Sequence, residues 1–444
     1  MSPTLVTTPS PPDGLPLADR LRIAVVGAGV AGLVTASALG AAHEVDVYEA
    51  EDRLGGHVHT LTIEDETGPH PVDLGFVVYN EENYPAFCRL LSWLGVDGRP
   101  SDMSFAVSRE EGRREWAGDG FLSFFNYGRH LASPAQWSLL GEILRFNRRL
   151  GALLHSPRPT SDPPATLGTF LEEHRFTHEL RYGYLLPMAS AIWSVPMSEV
   201  FDFPTLSFAR FFHNHGLLGL RGRPAWRTVE GGASRYVKAL KRSAHAHFRP
   251  GESVVSLREE GSRWRLATAR GRVEWYDRIV LACHADQAAA LLDPVLPARE
   301  WLARFRFQPN RLVFHSDPKL LPRSRRLWSS WNYFVTTAEE RPAFVSYWMN
   351  RLQRFATPAP YVVSLNPARD PTVGTVLLER LFMHPVYDRA NEAARRELPH
   401  HQGRRGLYYC GAWLGYGFHE DGVRSALEVA AHFGLRPRWA DDLP

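Results

Sequence analysis

Gly27, Gly29 and Gly32 form a G-x-G-x-x-G run directly after the apolar stretch Leu21–Val26 and at the opening of an Ala/Leu/Val-rich one, Val30–Ala42. The chemistry that suits such a run is the holding of a dinucleotide pyrophosphate. One glycine makes the tight turn, one lets backbone approach the phosphates, and one lets a helix pack closely on a strand. A helix opening at Val30 and Ala31 then offers free N–H groups and a partial positive charge to the anion. Glu49 ends a second, alternating run, Glu44–Tyr48, 17 residues past Gly32. A carboxylate there can accept hydrogen bonds from an adenosine ribose and would repel a 2′-phosphate, which argues against NADP. NAD and FAD share this fingerprint. The run Glu49-Ala50-Glu51-Asp52-Arg53-Leu54-Gly55-Gly56 follows at once. Its paired glycines let backbone lie against a flat cofactor, and Arg53 can neutralise phosphate.

The elements that must position these residues begin with a buried strand at Leu21–Val26, a helix at Val30–Ala42 and a strand at Glu44–Tyr48. This strand–helix–strand unit implies a parallel sheet. Glu82–Leu94 reads as an amphipathic helix, and Phe105–Val107 and Arg114–Trp116 as short strands around a turn at Glu111–Gly112. Helical, aromatic-rich segments follow at Ser133–Leu154, Leu167–His174, His178–Ser190 and Leu206–Leu217, with Pro157–Pro164 as a linker. Gly231–Ala246 reads as a helix, and Val254–Leu257, Trp264–Thr268, Arg272–Trp275 and Asp277–Cys283 as strands. Further on come strands at Leu312–His315, Ala343–Met349 and Leu407–Cys410, then a helix at Gly422–Phe433. Residues 1–20, rich in Pro, Ser and Thr, read as a flexible tail without the basic start and apolar centre of a secretory signal.

G-x-G-x-x-G followed in register by E-x-x-x-R-x-G-G resembles the flavin-containing amine oxidase superfamily, which also holds protoporphyrinogen oxidases and carotenoid desaturases. Asp73-Leu74-Gly75, the return Thr228-Val229-Glu230-Gly231-Gly232, the strand Tyr276–Ala282, and the C-terminal Leu407–Gly411 and Gly417–Val429 resemble that family's later motifs. The resemblance implies an α/β chain with a Rossmann-like, discontinuous FAD-binding domain (21–100, 228–300 and 405–444) and an inserted α+β substrate domain (101–227 and 301–404). It also implies non-covalently bound FAD. The FAD would be met by Gly27, Gly29, Val30, Ala31, Gly32, Glu49, Ala50, Arg53, Gly55, Gly56 and His57. Val255 would stand at the adenine end, and Gly411, Asp421 and Val423 at the flavin end, where a helix N-terminus would stabilise the reduced ring.

Three departures from amine oxidases stand out. His57 replaces the arginine that often follows Gly-Gly. Ala412-Trp413 follows Gly411, where an acidic residue is frequent. Arg311 matches locally the place of a lysine that many amine oxidases hold near flavin N5, and arginine cannot give up its proton. His419 or Glu420 is then the expected proton acceptor beside the ring, with packing against the flavin edge as the alternative for His419.

Ala191–Pro196, Asn214–Leu218, Trp226–Gly232, Ser329–Tyr333 and the run Gly417-Phe418-His419-Glu420-Asp421-Gly422 are similar to a narrower bacterial FAD-binding group. That group is linked with cyclopropane-fatty-acid-synthase-like genes and includes desaturases of furan fatty acid biosynthesis. The similarity implies an enzyme that desaturates a long, methyl-branched fatty acyl chain, free or in phospholipid, by hydride transfer to flavin N5, with O2 or another acceptor reoxidising the flavin. Amine oxidation, terpenoid or tetrapyrrole desaturation and non-redox double-bond isomerisation are the alternatives. Trp193, His213, His215, Arg311 and Trp413 are the expected substrate-pocket residues. For Trp193 and its neighbours Phe201, Phe203, Phe208, Phe211 and Phe212, core packing is the competing assignment.

Composition is that of an ordinary soluble globular protein. The 444 residues are 44% hydrophobic and 22% charged, which excludes disordered and collagen-like classes. A net charge of +3 is too small an excess to argue for nucleic acid. Three separated cysteines exclude a disulfide framework and a CxxC zinc site, and neither His57-x-His59 nor His213-x-His215 has the company a metal needs, so no metal is expected. No apolar stretch reaches the length of a spanning helix. The expected location is cytoplasmic. Arg323-Ser324-Arg325-Arg326 and Arg221-Gly222-Arg223 suggest a solvated face or, alternatively, peripheral contact with the inner membrane face or a phospholipid head group.

Overall fold

Val45 to Tyr48, Ile23 to Val26 and Ile279 to Leu281 are buried almost without interruption, as strands covered on both faces of a parallel sheet must be. In the computed structural model these strands, Glu44–Glu49, Arg22–Val26 and Arg278–Leu281, form the centre of a five-stranded sheet edged by His247–Pro250 and Leu407–Tyr409. All four pairings are parallel. The structure describes residues 20–109, 112–155, 165–193, 195–219, 224–335, 344–441 and 443. The expected linker Pro157–Pro164, the basic run Arg221–Arg223 and all of the expected tail but Arg20 lie outside the described residues.

The chain divides into two units. The first comprises the described residues of Met1–Gly56 with Tyr236–Ala303 and those of Glu397–Pro444. It holds the parallel sheet, the helices Val30–Leu39 and His419–His432, and an antiparallel meander of Val254–Glu260, Arg263–Thr268 and Val273–Tyr276. The two helices pack closely because Gly422 has no side chain: a Cβ there would come 2.7 Å from Val30 Cγ1. A buried carboxylate, Asp46, accepts from Arg249 at 2.6 Å and from the Tyr276 hydroxyl at 2.8 Å, joining three strands of this unit.

The second unit takes in the described residues of His57–Arg235 and Arg304–Arg396. Its core is a seven-stranded mixed sheet in the order Val376–Pro385, Phe307–His315, Val362–Leu365, Phe344–Trp348, Trp331–Phe334, Phe105–Arg109 and Arg114–Ala117. The helices include Pro134–His155, Leu167–Glu173 and Thr205–Asn214. The single helix expected over 178–190 is divided. A wider turn, Arg181–Leu185, separates His178–Leu180 from Leu186–Trp193, and the Leu186 N–H reaches back to the Arg181 carbonyl.

Domain boundaries differ from those expected. The first crossing lies at Gly56/His57 rather than after residue 100. The cause is pairing that short sequence windows hide. Val78–Tyr79 and Gly98–Pro100 both pair with Arg227–Val229 in a small antiparallel sheet. The hairpin Thr60–Asp65/Gly68–Asp73 is bonded to Gln353 and Ala233 of the same unit. The later crossings fall at Arg235/Tyr236, Ala303/Arg304 and Arg396/Glu397, each a few residues from its expected place.

Candidate functional site

Each glycine of the first loop has a distinct physical reason. Gly27 has φ +105°, its N–H donates to the Tyr48 carbonyl at 2.8 Å, and a Cβ would lie 2.8 Å from the Cys283 nitrogen. At Gly32 a Cβ would overlap the Gly27 carbonyl oxygen. Gly29 is the opposite case: nothing lies within 4 Å of a Cβ placed there, and it caps the helix Val30–Leu39 without any side-chain bond. The open side of that glycine and the free N–H groups of the helix N-terminus are where an anion would be held.

The loop after the second strand is wired to the first. Glu49 Oε2 accepts from the Ala28 N–H at 2.9 Å and Oε1 from the Glu51 N–H at 3.0 Å. The Gly55 N–H donates to the Ala28 carbonyl at 2.8 Å, and Gly56 lies against Gly29. Arg53 pairs with Glu51 at 2.9 Å and donates to the Gly56 carbonyl at 2.8 Å, so it shapes the Gly-Gly turn beside whatever phosphate it meets. Ala50 is exposed on the same loop. Val255 sits where the register shifts between Val254 and Ser256, with 51% of its surface exposed. A bulge of this kind takes a backbone edge out of the ladder and makes it available to a planar base. These features fit a dinucleotide.

The C-terminal elements bring a second helix start beside the first, at the Gly422–Val30 contact. The Gly411 N–H donates to Ser425 Oγ at 3.0 Å, and Val423 is fully buried. Asp421 accepts from the N–H groups of Tyr416 and Phe418 at 3.0 and 2.9 Å, closing the loop ahead of the helix. His419, the first helical residue, has Nε2 at 2.9 Å from the Tyr236 hydroxyl. Glu420 is buried and paired with Arg424 at 2.8 Å. Trp413, expected in the substrate pocket, is instead packed within this unit, 6.2 Å ring to ring from Trp301, with its N–H on the Cys283 carbonyl at 3.1 Å. Burial pushes the Cys283 and Cys410 thiols up to about 12, so neither presents a thiolate.

The other expected pocket residues belong to the second unit. Trp193 is buried among Phe203, Phe208 and Phe211, with ring centroids 5.2, 5.8 and 4.4 Å away, so it is core. His213 and His215 lie on different sides of their helix end, as a two-residue step on a helix requires. His213 is exposed. His215 stacks on Phe211 at 3.9 Å, and its Nδ1 lies 2.9 Å from the Phe211 carbonyl. Burial pushes its imidazole down to about 4, so it is neutral. Arg311, the expected stand-in for lysine, lies at a partly exposed edge, where Glu379 and Asp370 each hold its guanidinium at 2.6 Å. Its task is local, and Arg311→Ala should leave substrate KM unchanged while costing about 1 kcal/mol or less of stability, as exposed pairs do. A tenfold rise in KM would return it to the site.

Strand alternation explains the miss. Asn310, one residue earlier, points the other way and is fully buried. Its Nδ2 lies 3.0 Å from His384 Nδ1, and its Oδ1 accepts from Asn366 at 2.6 Å. His384 stacks on His57 at 5.4 Å, and His57 meets Phe382 at 4.9 Å. Burial, then the neighbouring His57, push His384 down to about 3, leaving it neutral. His57 thus follows the Gly-Gly turn directly in the chain and belongs to a His–His–Asn group in which Asn310 is fully buried. The sequence carries no distinct signal for that group, because the strand Phe307–His315 also holds Gln308, Arg311 and His315.

Comparison with known proteins places these features in a family. A model described as flavin containing amine oxidoreductase matches residues 30–318, more than half of the chain. A stretch of 40 residues is 62% identical to the flavin-dependent L-tryptophan oxidase RebO of Lentzea aerocolonigenes, covering 9% of this chain and only 8% of that relative's length. The fold is similar to that of putrescine oxidase bound to putrescine, with a TM-score of 0.67 and 15% identity over 93% of this chain and 99% of that one. It is also similar to a CLA-producing fatty acid isomerase from P. acnes, with a TM-score of 0.64 and 15% identity over 93% and 98%. At such identities the likeness is one of fold. Among the described residues no group of His, Cys, Asp and Glu side chains is arranged to hold a metal, and no helix is long and apolar enough to cross a membrane.

Proposed function

The chain belongs to the flavin-containing amine oxidoreductase family, and we propose that within it this protein desaturates a long, methyl-branched fatty acyl chain. It is an FAD-dependent oxidoreductase. The observation that carries the choice of substrate is the uncharged pair of Asn310 and His384 in the second unit. Asn310 and His384 are uncharged, and the guanidinium of the same strand, Arg311, is committed to Glu379 and Asp370 at its exposed edge. An ammonium brought to such neutral partners would be buried without a counter-charge, whereas a hydrocarbon needs none. The likeness of the fold to the P. acnes fatty acid isomerase is compatible with a fatty acyl substrate, as that to putrescine oxidase is with an amine.

The loop Gly27–Gly32, Glu49 and the Gly55-Gly56 turn would hold FAD, which would supply a two-electron acceptor for hydride from an acyl carbon, with O2 or another acceptor taking the electrons on. His419 takes the proton from the adjacent carbon onto its imidazole, held in place by the Tyr236 hydroxyl at Nε2. Glu420 is held by Arg424 and positions the first turn of the helix. His419→Ala is expected to slow anaerobic flavin bleaching by substrate about 100-fold, the usual range for removal of a general base, with bound FAD retained. An unchanged rate would remove His419 from the step.

The substrate itself is tested by anaerobic mixing with a methyl-branched monounsaturated phospholipid, or its free acid, followed by mass spectrometry. A product lighter by two hydrogens, with bleaching of the flavin, is expected. Untouched lipid together with peroxide release from amines would sink the proposal. The isomerase likeness favours one second reading, double-bond migration. That reaction would return a product of unchanged mass with the flavin oxidised at steady state.

A further inference from the structure

Large apolar side chains scattered singly on a surface need no explanation, but a contiguous group does. Phe121, Leu122, Tyr127, Leu131 and Trp137 are all exposed within 17 residues of the second unit, at 45–62% of their surface. Phe121, Trp137 and Leu131 adjoin one another, with Leu122 next in the chain to Phe121. Phe121 lies 5.9 Å from Trp137 ring to ring, and both pack on the buried Phe125 at 4.7 and 4.4 Å. The Trp137 indole N–H donates to the Leu131 carbonyl at 2.9 Å. Asn126 and Tyr127 have φ of +48° and +53°, in the left-handed region that non-glycine residues rarely adopt. This turn buries Asn126 and leaves Tyr127 outside. Two consecutive left-handed residues cost free energy, and such strain clusters where a surface is used.

The unpaired charge beside this patch is positive. Arg326 stands over the Tyr127 ring at 5.9 Å, and Arg325 over Trp328 at 5.4 Å. Arg129, Arg325 and Arg326 are exposed, and no carboxylate among the described residues pairs with them. The acidic residue nearest in sequence, Asp119, is paired with Arg351 at 3.0 Å. Protruding Phe and Leu, Trp and Tyr with their polar ends satisfied, and free guanidinium groups at the border together make the arrangement of a protein that lies on an anionic bilayer.

We propose that residues 121–137, with Arg129, Arg325 and Arg326, dock this protein on the surface of an anionic membrane. The inference stands apart from the choice of substrate, because docking requires no turnover. The test uses FAD-loaded, full-length protein and sedimentation with vesicles of straight-chain saturated phosphatidylcholine, with or without phosphatidylglycerol. Such lipids lack the branch and double bond of the proposed substrate, so capture of substrate cannot imitate docking. Binding is expected only with phosphatidylglycerol present and should fall as salt rises. Phe121→Ser with Leu122→Ser, and separately Arg325→Glu with Arg326→Glu, should each weaken it at least tenfold, with visible flavin absorbance unchanged. Failure to bind, or binding untouched by both double variants, would overturn the proposal. So would a dimer in solution that the Phe121/Leu122 variant dissociates, because the patch would then face a second copy of this chain.

Discussion

Gly29→Asp is expected to give a folded protein without flavin, and Gly32→Val a protein whose nucleotide-binding unit does not fold. The two residues share one loop, so the contrast is a sharp test of what each does. A side chain at Gly29 enters open space, and the parallel sheet and its helix have no reason to move. The aspartate would, however, stand at the helix N-terminus where a pyrophosphate is to be held. Two like charges about 4 Å apart repel by roughly 4 kcal/mol at an effective dielectric of 20, equivalent to about a thousandfold in affinity. Gly29→Ala, which adds bulk without charge, should lose far less. At Gly32 a Cβ overlaps the Gly27 carbonyl oxygen and comes 3.2 Å from the Ala282 Cβ. The loop cannot yield, because Gly27 is bonded to the Tyr48 carbonyl on one side and pressed on Cys283 on the other. Overpacking against such backbone costs several kcal/mol. Flavin content per protein and the thermal midpoint separate the outcomes. A Gly29→Asp protein that keeps its FAD would mean that the phosphates are held elsewhere.

This loop was legible in the sequence because its constraints are local. A turn, an open helix start and a tight helix–strand contact fall within six residues, between an apolar strand and one that alternates. The second unit was legible only as elements. Its sheet joins strands more than 200 residues apart, such as Phe105–Arg109 with Trp331–Phe334, and no spacing rule predicts that pairing. The Arg311 assignment shows the cost. The resemblance points to Arg311, which is held by Asp370 and Glu379, and on a strand a single step turns a side chain to the opposite face. The neighbouring Asn310, which is buried, meets His384, and His384 stacks on His57, so three separate parts of the chain come together there. Trp413 and Trp193 are both buried. Large aromatic side chains serve cores and pockets alike, and composition cannot tell them apart.

Asp73 was legible only as part of a family-like motif, and its contacts predict the second large effect. It is fully buried, yet it accepts from the Thr60 hydroxyl at 2.5 Å, the Ala233 N–H at 2.9 Å and Gln353 Nε2 at 2.9 Å. Its own N–H donates to Gln353 Oε1 at 2.9 Å. The carboxylate therefore ties the first hairpin to the start of the helix Ser234–Ser243 and to the segment after Met349–Leu352, all within the second unit. Asp73→Ala would leave three buried donors without their acceptor, at about 1–3 kcal/mol each, and should lower the thermal midpoint by about 10 °C or more. Burial pushes the carboxyl up to about 7 against the pull of these donors and of Arg99, from an ordinary value of 3.8. Between those two values the unfolded chain has released the proton and the folded chain still holds it. The folded state therefore loses stability as pH rises through this window, by about 1.4 kcal/mol per pH unit and about 4 kcal/mol in all. Below pH 3.8 and above pH 7 the contribution is flat. Asp73→Asn cannot titrate, so the difference in denaturant-derived stability between wild type and this variant isolates the group from the histidines that also change charge. That difference should shift against wild type steadily from pH 4 to pH 7. If it stays constant over that range, the donors outweigh burial, and Asp73 is held as a permanent carboxylate at the centre of the unit.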